Sequence, residues 1–288
     1  MPAPGKQICH ADARPWQADL RHKVDPVRVH VVSDVHGNSE ALARAGEGAD
    51  ALFVLGDLLD FVDYHDYSGG IMGAVFGPEN VARFAEYRKG RRNAEAVAFV
   101  RSLWAGLGGQ AEVVREAVRE QYKRLFSAMT APTYATPGNV DDPSLWPEFA
   151  GAGVTVLDGQ TTEVGGLRVG FVGGALLPPG AEVRRNGVWQ PYLRFDEDMV
   201  DPLAALGEVD VLCTHVPPAV PELTYDVVAR RPEIGSVALL ETIRRTRPRW
   251  SLFGHVHQPL SRRVRLGSTE CVNVGHFQRT GTPYVLRF

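Results

Sequence analysis

Apolar residues in this chain follow two different periods. Continuous apolar runs, rich in β-branched side chains and closed by glycine or polar residues, occupy Val29 to Ser33, Ala51 to Gly56, Thr133 to Gly138, Val209 to Thr214 and Trp250 to Gly254. Each run predicts a buried strand. Gly37 and Asn38 break the first before a short helix near Ser39 to Arg44. Strand, short crossover and strand form a βαβ unit with parallel neighbours. Shorter strands are expected at Val154 to Leu157, Thr161 to Val164 and Leu167 to Gly173. A helix near Gly235 to Arg245 and closing strands near Arg263, Cys271 and Tyr284 complete the pattern.

Between the second and third runs the period becomes helical. Val97, Val100, Leu103, Trp104 and Leu107 make one stripe; Val113, Val114, Ala117, Val118, Tyr122, Leu125 and Met129 make another. Gly106, Gly108 and Gly109 separate them. Such stripes predict two or three helices packed on each other and on a sheet. The two halves of the chain each supply candidate ligands, so one domain whose two sheets stack is expected, with an α/β fold: a four-layer α-β-β-α sandwich, two stacked mixed β-sheets flanked by helices. The expected domain runs over 27–288 and carries a helical cap insertion at 61–131. That insertion directly follows a strand bearing candidate ligands and should stand near the mouth of the site. Residues 1–26, rich in Pro, Ala and charges, are expected to be a flexible extension.

With 44% hydrophobic and 23% charged residues in 288, the composition is that of an ordinary globular protein. A net charge of -3 speaks against a general nucleic-acid or membrane-surface binder, which needs a basic stripe. Met1 to Pro26 has no apolar core of a secretory signal, and no stretch reaches the ~18 apolar residues of a membrane span. Cys9, Cys213 and Cys271 form no Cys-x-x-Cys pair. The expected location is the cytoplasm.

Seven potential metal ligands close the five apolar runs: Asp34 and His36, Asp57, Asn139, His215, then His255 and His257. In an open α/β sheet the strand ends are where side chains from distant sequence converge. Asp34 and His36, two apart, would share one side of an extended backbone. Oxygen and imidazole donors without thiolate suit Mn, Fe, Zn, Co or Ni. A carboxylate such as Asp57 can bridge two cations, and two cations ~3.5–4 Å apart can clamp a phosphoryl group. Any one of these residues alone reads more simply as a turn or hydrogen-bonded structural residue.

Together they resemble the calcineurin-like metallophosphoesterase family, whose blocks are Asp-x-His, Gly-Asp-x-x-Asp, Gly-Asn-His-Asp/Glu, a lone His and Gly-His-x-His. This sequence has Asp34-Val35-His36, Gly56-Asp57-Leu58-Leu59-Asp60, Gly138-Asn139-Val140-Asp141, His215 and Gly254-His255-Val256-His257. The resemblance spans Val27 to about Asn273 and leaves the insertion unmatched. It implies hydrolysis of a soluble phosphodiester or phosphomonoester by a metal-bound hydroxide, with two divalent transition metal ions, Mn favoured. One metal would be held by Asp34, His36, Asp57 and His257, the other by Asp57, Asn139, His215 and His255. Asp34, Asp57, Asn139 and His215 are the implied catalytic set, and Asn139 is also the implied substrate contact.

The departure is Val140, where the family usually carries a histidine that contacts phosphate and helps protonate the leaving group. Valine can do neither. Asp141, with no imidazole to orient, is expected to cap the following helix. His65 and His276 are candidate stand-ins for the donor. Arg184 and Arg185, or Arg91 and Arg92, are candidates to clamp phosphate oxygens. A small phosphorylated substrate is the expected partner, with no membrane and no nucleic acid; nothing in the sequence speaks to oligomeric state. Two other readings compete: a metal-free interaction scaffold on the same fold, and a nuclease, which needs a positive track beside the site.

Overall fold

Alternation along the strands builds the layers. The structure is a computed structural model and describes residues 26–64, 66–181 and 191–288. In the first sheet β1 (Arg28–Val32), β2 (Ala51–Val54), β3 (Thr133–Ala135) and β4 (Val154–Val156) run parallel, and β15 (Tyr284–Arg287) pairs antiparallel with β1. In the second sheet β6 (Leu167–Val172), β9 (Val211–Thr214), β12 (Trp250–Phe253) and β14 (Thr269–Asn273) run parallel. Its antiparallel edges are β5 (Gln160–Val164) and β13 (Arg263–Leu266). Two-residue ladders join β7 (Ala175–Leu176) to β8 (Leu193–Arg194) and β10 (Tyr225–Asp226) to β11 (Arg231–Pro232).

Val29, Val31, Phe53 and Leu55 from the first sheet meet Val169, Phe171, Val211, Cys213 and Leu252 from the second, filling the space between them. Phe53 and Phe171 pack edge to face at 5.3 Å, a geometry that suits the aromatic quadrupole. The opposite faces bury Val32, Leu52 and Val54 on one side and Leu212, Phe253 and Cys271 on the other. The first of these faces is covered by α1 (Ser39–Ala45) and α5 (Gln110–Ser127), the second by α6 (Val200–Ala205) and α8 (Val237–Thr246). Helix, sheet, sheet and helix therefore stack as the strand pattern predicted. Asn38 caps α1 by accepting from the Ala41 N–H at 3.1 Å, and Ser236 caps α8 through the Leu239 N–H at 2.9 Å. α7 (Pro221–Thr224) and α9 (Phe277–Thr280) are single turns; α9 joins the core beneath the first sheet through Phe277 and donates its Phe277 N–H to Ser33 O at 3.0 Å.

The insertion holds four helices where two or three were expected: α2 (Gly70–Phe76), α3 (Pro78–Lys89), α4 (Asn93–Ala105) and α5. The two stripes meet different fates. Val114, Val118, Tyr122 and Leu125 on α5 are buried in the core under the first sheet. On α4, Val97 is 49% exposed and Trp104 is half-buried against Phe76, ring centroids 4.4 Å apart. Among the described residues no helix is long and apolar enough to cross a membrane. The 1–26 extension lies outside the described residues except for its last position.

Candidate metal centre

Five parallel strands from both sheets end at one crevice, and the loops leaving them carry the seven candidates. Asp34 and His36 follow β1, Asp57 follows β2, Asn139 follows β3, His215 follows β9, and His255 and His257 follow β12. The expected extended backbone at Asp34-Val35-His36 is not what forms. Asp34 (φ 57°), His36 (φ 38°), Asp57 (φ 54°) and His255 (φ 66°) all sit in the left-handed region, at a cost of about 1–3 kcal/mol each. The turn brings both ligands inward more sharply than pleat alternation would. It persists because neighbouring loops fix it: Asp34 N–H donates to Gly56 O at 3.0 Å, His36 N–H to Asp57 O at 2.9 Å, and His255 N–H to Asp34 Oδ2 at 3.0 Å.

Glycine is required where these loops touch. A Cβ on Gly138 would collide with the Asp57 carboxylate, and one on Gly254 with Ser33 Oγ and Asp34 Oδ2. These two contacts draw the Asn139 loop onto Asp57 and the His255 loop onto Asp34, so ligands from both sheets reach one point.

The imidazoles are oriented by backbone carbonyls. His36 Nδ1 lies 3.0 Å from Leu59 O, and His215 Nδ1 lies 2.7 Å from Leu55 O. A carbonyl only accepts, so both rings carry a proton on Nδ1 and present Nε2 to the crevice. His215 Nε2 is 3.1 Å from Asn139 Oδ1 and 3.5 Å from Asp57 Oδ1. His36 Nε2 is 3.8 Å from Asp57 Oδ2, and His257 Nε2 is 3.3 Å from Asp34 Oδ1 and 3.4 Å from His36 Nε2. Among the described residues three clusters have ligand atoms within 4.8 Å: one joins His36, His257 and His276, and the other two are Asp34, His36 and Asp57, and Asp57, His215 and His255. Asp57 belongs to both of the latter.

Charge at this point is strained. Burial works against ionising Asp34, yet the adjacent His257, with His215 and His36, holds its carboxyl well below the usual carboxylate range. Asp57, equally buried, is drawn down to about 2 by His215 and His36. His215 is buried, which works against its charge, but Asp57 raises it to about 9. Burial and the His215 charge push His255 down to about 4. Asp34 Oδ1 is a buried oxygen without a hydrogen bond of proper geometry. An orphaned carboxylate oxygen, a proton held on His215 Nε2 and a neutral His255 all face one another. Cations at the two clusters that share Asp57 would satisfy the first, replace the second and use the third, so the donor set fits divalent metal.

A family model described as calcineurin-like phosphoesterase matches residues 27–259. The chain belongs to the calcineurin-like phosphoesterase family. The structure of TT1561 from Thermus thermophilus aligns with TM-score 0.53 and 16% identity, covering 91% of this chain and 99% of that one. Another solved structure aligns with TM-score 0.57 at 16% identity, with the same coverage. These likenesses speak to the fold alone. A purple acid phosphatase from yellow lupin seeds is more distant, at TM-score 0.39 and 12% identity over 87% of this chain and 44% of that one. No curated protein matches the sequence significantly.

In this phosphoesterase-family chain Val140 is half-buried against the core beneath the first sheet, and its N–H donates to Asp57 Oδ1 at 2.9 Å. Asp141 does not cap a following helix. Its carboxylate is fully buried and accepts from Gly138 N–H at 2.8 Å and Leu58 N–H at 3.0 Å, tying the Asn139 loop to the Asp57 loop. Burial first, then the Asp57 charge, raise its carboxyl to about 7. Tyr122 of α5 lies over it, the phenol oxygen 3.4 Å from Asp141 Oδ1 while accepting from Asp142 N–H at 2.6 Å.

Of the proposed stand-ins, His276 does reach the site, stacked on His257 with centroids 3.8 Å apart and Nε2 3.3 Å from Gln278 Oε1. Burial and His257 push it down to about 4. Arg92 is instead engaged on the surface with Glu95, and neither it nor Arg91 borders the groove that opens at His36. His65, Arg184 and Arg185 lie outside the described residues. Gln278, unremarked in the sequence, donates to His36 O at 3.0 Å and steadies that turn; no local pattern announces it.

Proposed function

We propose that this chain is a cytoplasmic, dinuclear metal-dependent phosphoesterase that prefers a small, soluble phosphodiester to a phosphomonoester and does not act on nucleic acid. The observation that carries this reading is the buried Asp57 carboxylate common to two ligand clusters, one oxygen near His36 and the other near His215. Asp34, His36, Asp57 and His257 would hold one ion; Asp57, Asn139, His215 and His255 would hold the other, with Mn favoured for an oxygen and imidazole set. Such a pair, when bound, supplies Lewis acidity and a nucleophile at neutral pH.

The chain's own residues do the positioning. Leu59 O and Leu55 O fix the tautomers of His36 and His215. The Asn139 amide nitrogen is available to donate to a phosphate oxygen while its carbonyl faces His215. Val140 offers no proton to a departing alkoxide, which favours esters whose leaving groups are acidic. A scaffold without metal would have no use for two carboxylates and four imidazoles converging at one crevice, where burial works against their charges.

The test is metal content by mass spectrometry and hydrolysis of a panel of phosphomonoesters, cyclic nucleotides and linear diesters, each with Mn, Co, Ni, Zn and Mg. About two equivalents of metal and turnover of aryl phosphodiesters are expected. A folded protein that retains no near-stoichiometric metal after Mn reconstitution and hydrolyses nothing is the scaffold instead.

A further inference from the structure

A groove of about 1300 Å³ runs from His36 along the cleft between the loop after β2 and helix α5. Its walls are acidic. Glu40, Asp60, Asp63 and Asp66 border one side and Glu116 and Glu120 the other, while Arg124 is the one lysine or arginine among the described residues that line it. Glu112 also borders it but is paired with Arg115 at 3.1 Å. Carboxylates around a concave wall focus a negative potential that repels polyanions and concentrates cations.

Exposed acids alone would be a solvated surface; Asp60 makes the difference. It is 7% exposed, yet no hydrogen bond to its carboxylate exists among the described residues. Gln121 of α5 clamps its backbone from both sides, accepting from Asp60 N–H at 2.9 Å and donating to Asp60 O at 2.9 Å. Its Cβ rests against the Gly37 turn, where an added Cβ would lie 3.1 Å away. Gly37 and His36 are themselves part of the groove wall. The carboxylate is thus fixed at the groove's inner end, next to a residue that also faces the metal clusters. Burial, then the Asp63 charge, raise its carboxyl to about 7. The carboxylate opens on the groove, and among the described residues it meets no charged N–H donor, the partner that would bind it most strongly.

We propose that this groove receives a protonated organic amine carried on the alcohol part of the ester, hydrogen-bonded to Asp60 beside the metal centre. This deepens the reading above by naming the substrate class, an aminoalkyl phosphoester, and rests on it for the reaction. Val75 and Ala117, both half-buried, supply apolar surface for the alkyl stem between the acidic rims. An ammonium is preferred over a quaternary nitrogen because Asp60 needs a hydrogen-bond donor.

Two measurements test it separately from the hydrolytic reading. In the first, the metal-free full chain is titrated calorimetrically with 1,4-diaminobutane and with its neutral counterpart 1,4-butanediol. Without metal the amine has nothing to ligate, so a tighter fit of at least ten-fold for the diamine reports the groove. In the second, the Mn-loaded protein is given 2-aminoethyl 4-nitrophenyl phosphate and propyl 4-nitrophenyl phosphate, which differ in the amine alone. The expected kcat/KM ratio is ten or more in favour of the amine. Asp60→Asn combined with Glu116→Gln and Glu120→Gln should bring both ratios close to one. If that triple variant does not fold, the exposed pair Glu116→Gln and Glu120→Gln should still reduce both ratios several-fold. Equal binding of diamine and diol, or equal turnover of the two esters, overturns the proposal while leaving the phosphoesterase reading intact. Selective amine binding in a protein that hydrolyses neither ester keeps the groove assignment and rejects the reaction.

Discussion

The metal-centre loops and the 61–131 insertion are held by different forces. In the loops, the backbone itself is the adhesive: Asp34, His36 and His255 each donate their N–H to a neighbouring ligand loop, and Asp141 gathers two more. Four non-glycine residues in left-handed conformation are tolerated there only because those bonds over-determine them. Among the described residues no comparable backbone network between loops surrounds α3 and α4. Helix α4 stacks through side chains, Trp104 on Phe76 of α2 and Phe99 on Tyr87 of α3, with Val97 left open to solvent. Helix α5 belongs with the first group, since Gln121 and Tyr122 bond the Asp60 and Asp142 backbone and its apolar face is core. Geometry needed for chemistry is built on backbone, and surface that selects a partner is built on side chains.

That contrast can be broken most severely by deletion. Replacing 78–106 with a short linker should leave a folded chain that still binds metal, whereas replacing 78–127 should abolish cooperative thermal unfolding because α5 is lost from the core. A folded 78–127 deletion with its full metal complement would refute the division. Next in size, Asp57→Asn should eliminate hydrolysis and cut bound metal by half or more, read by mass spectrometry. Wild-type turnover with both ions retained would remove Asp57 from the bridging role.

Val140→His tests what the loop gave up. General acid catalysis typically contributes about 10²–10⁴-fold, so the variant should gain most on alkyl leaving groups and little on aryl ones. Plots of log rate against leaving-group pKa should become shallower. Coincident slopes for the two proteins would mean a proton already comes from elsewhere, with His276 and His65 the first to replace.

The smallest effect is a pH dependence in the metal-free form. Asp60 is raised from 3.8 to about 7 by burial and by Asp63. The native state therefore keeps a proton there that the unfolded chain gives up between those values. Its contribution to stability is complete below about pH 4 and disappears as the pH rises through 7. Asp60→Asn should remove this loss, so urea unfolding at pH 5 and pH 8 should differ less in the variant, by roughly 1–3 kcal/mol on the scale of about 1.4 kcal/mol per pKa unit. Identical pH dependence in both proteins would place the Asp60 carboxyl in solvent.

What was legible in the sequence was legible because it is local or ordered. Apolar runs marked β1, β2, β3, β9 and β12 to within a few residues, and the residue types at their ends named the seven candidates that the structure gathers into one crevice. Two apolar faces per strand required two covering layers, and candidate ligands in both halves of the chain pointed to two sheets stacked on each other. Tertiary contacts decided the rest, since they join residues that no period relates. Asp34 and His36 turn inward through positive φ because Gly56 O and Asp57 O wait at the right height. Asp141 anchors two loops and caps no helix because Leu58, 83 residues earlier, presents its N–H. The two stripes of the insertion look alike in sequence, yet α5 lies on the sheet and α4 does not. Asp60 closes the Gly56-Asp57-Leu58-Leu59-Asp60 block in sequence, but only Gln121, 61 residues away, pins its backbone so that the side chain lines the groove with no hydrogen-bond partner among the described residues.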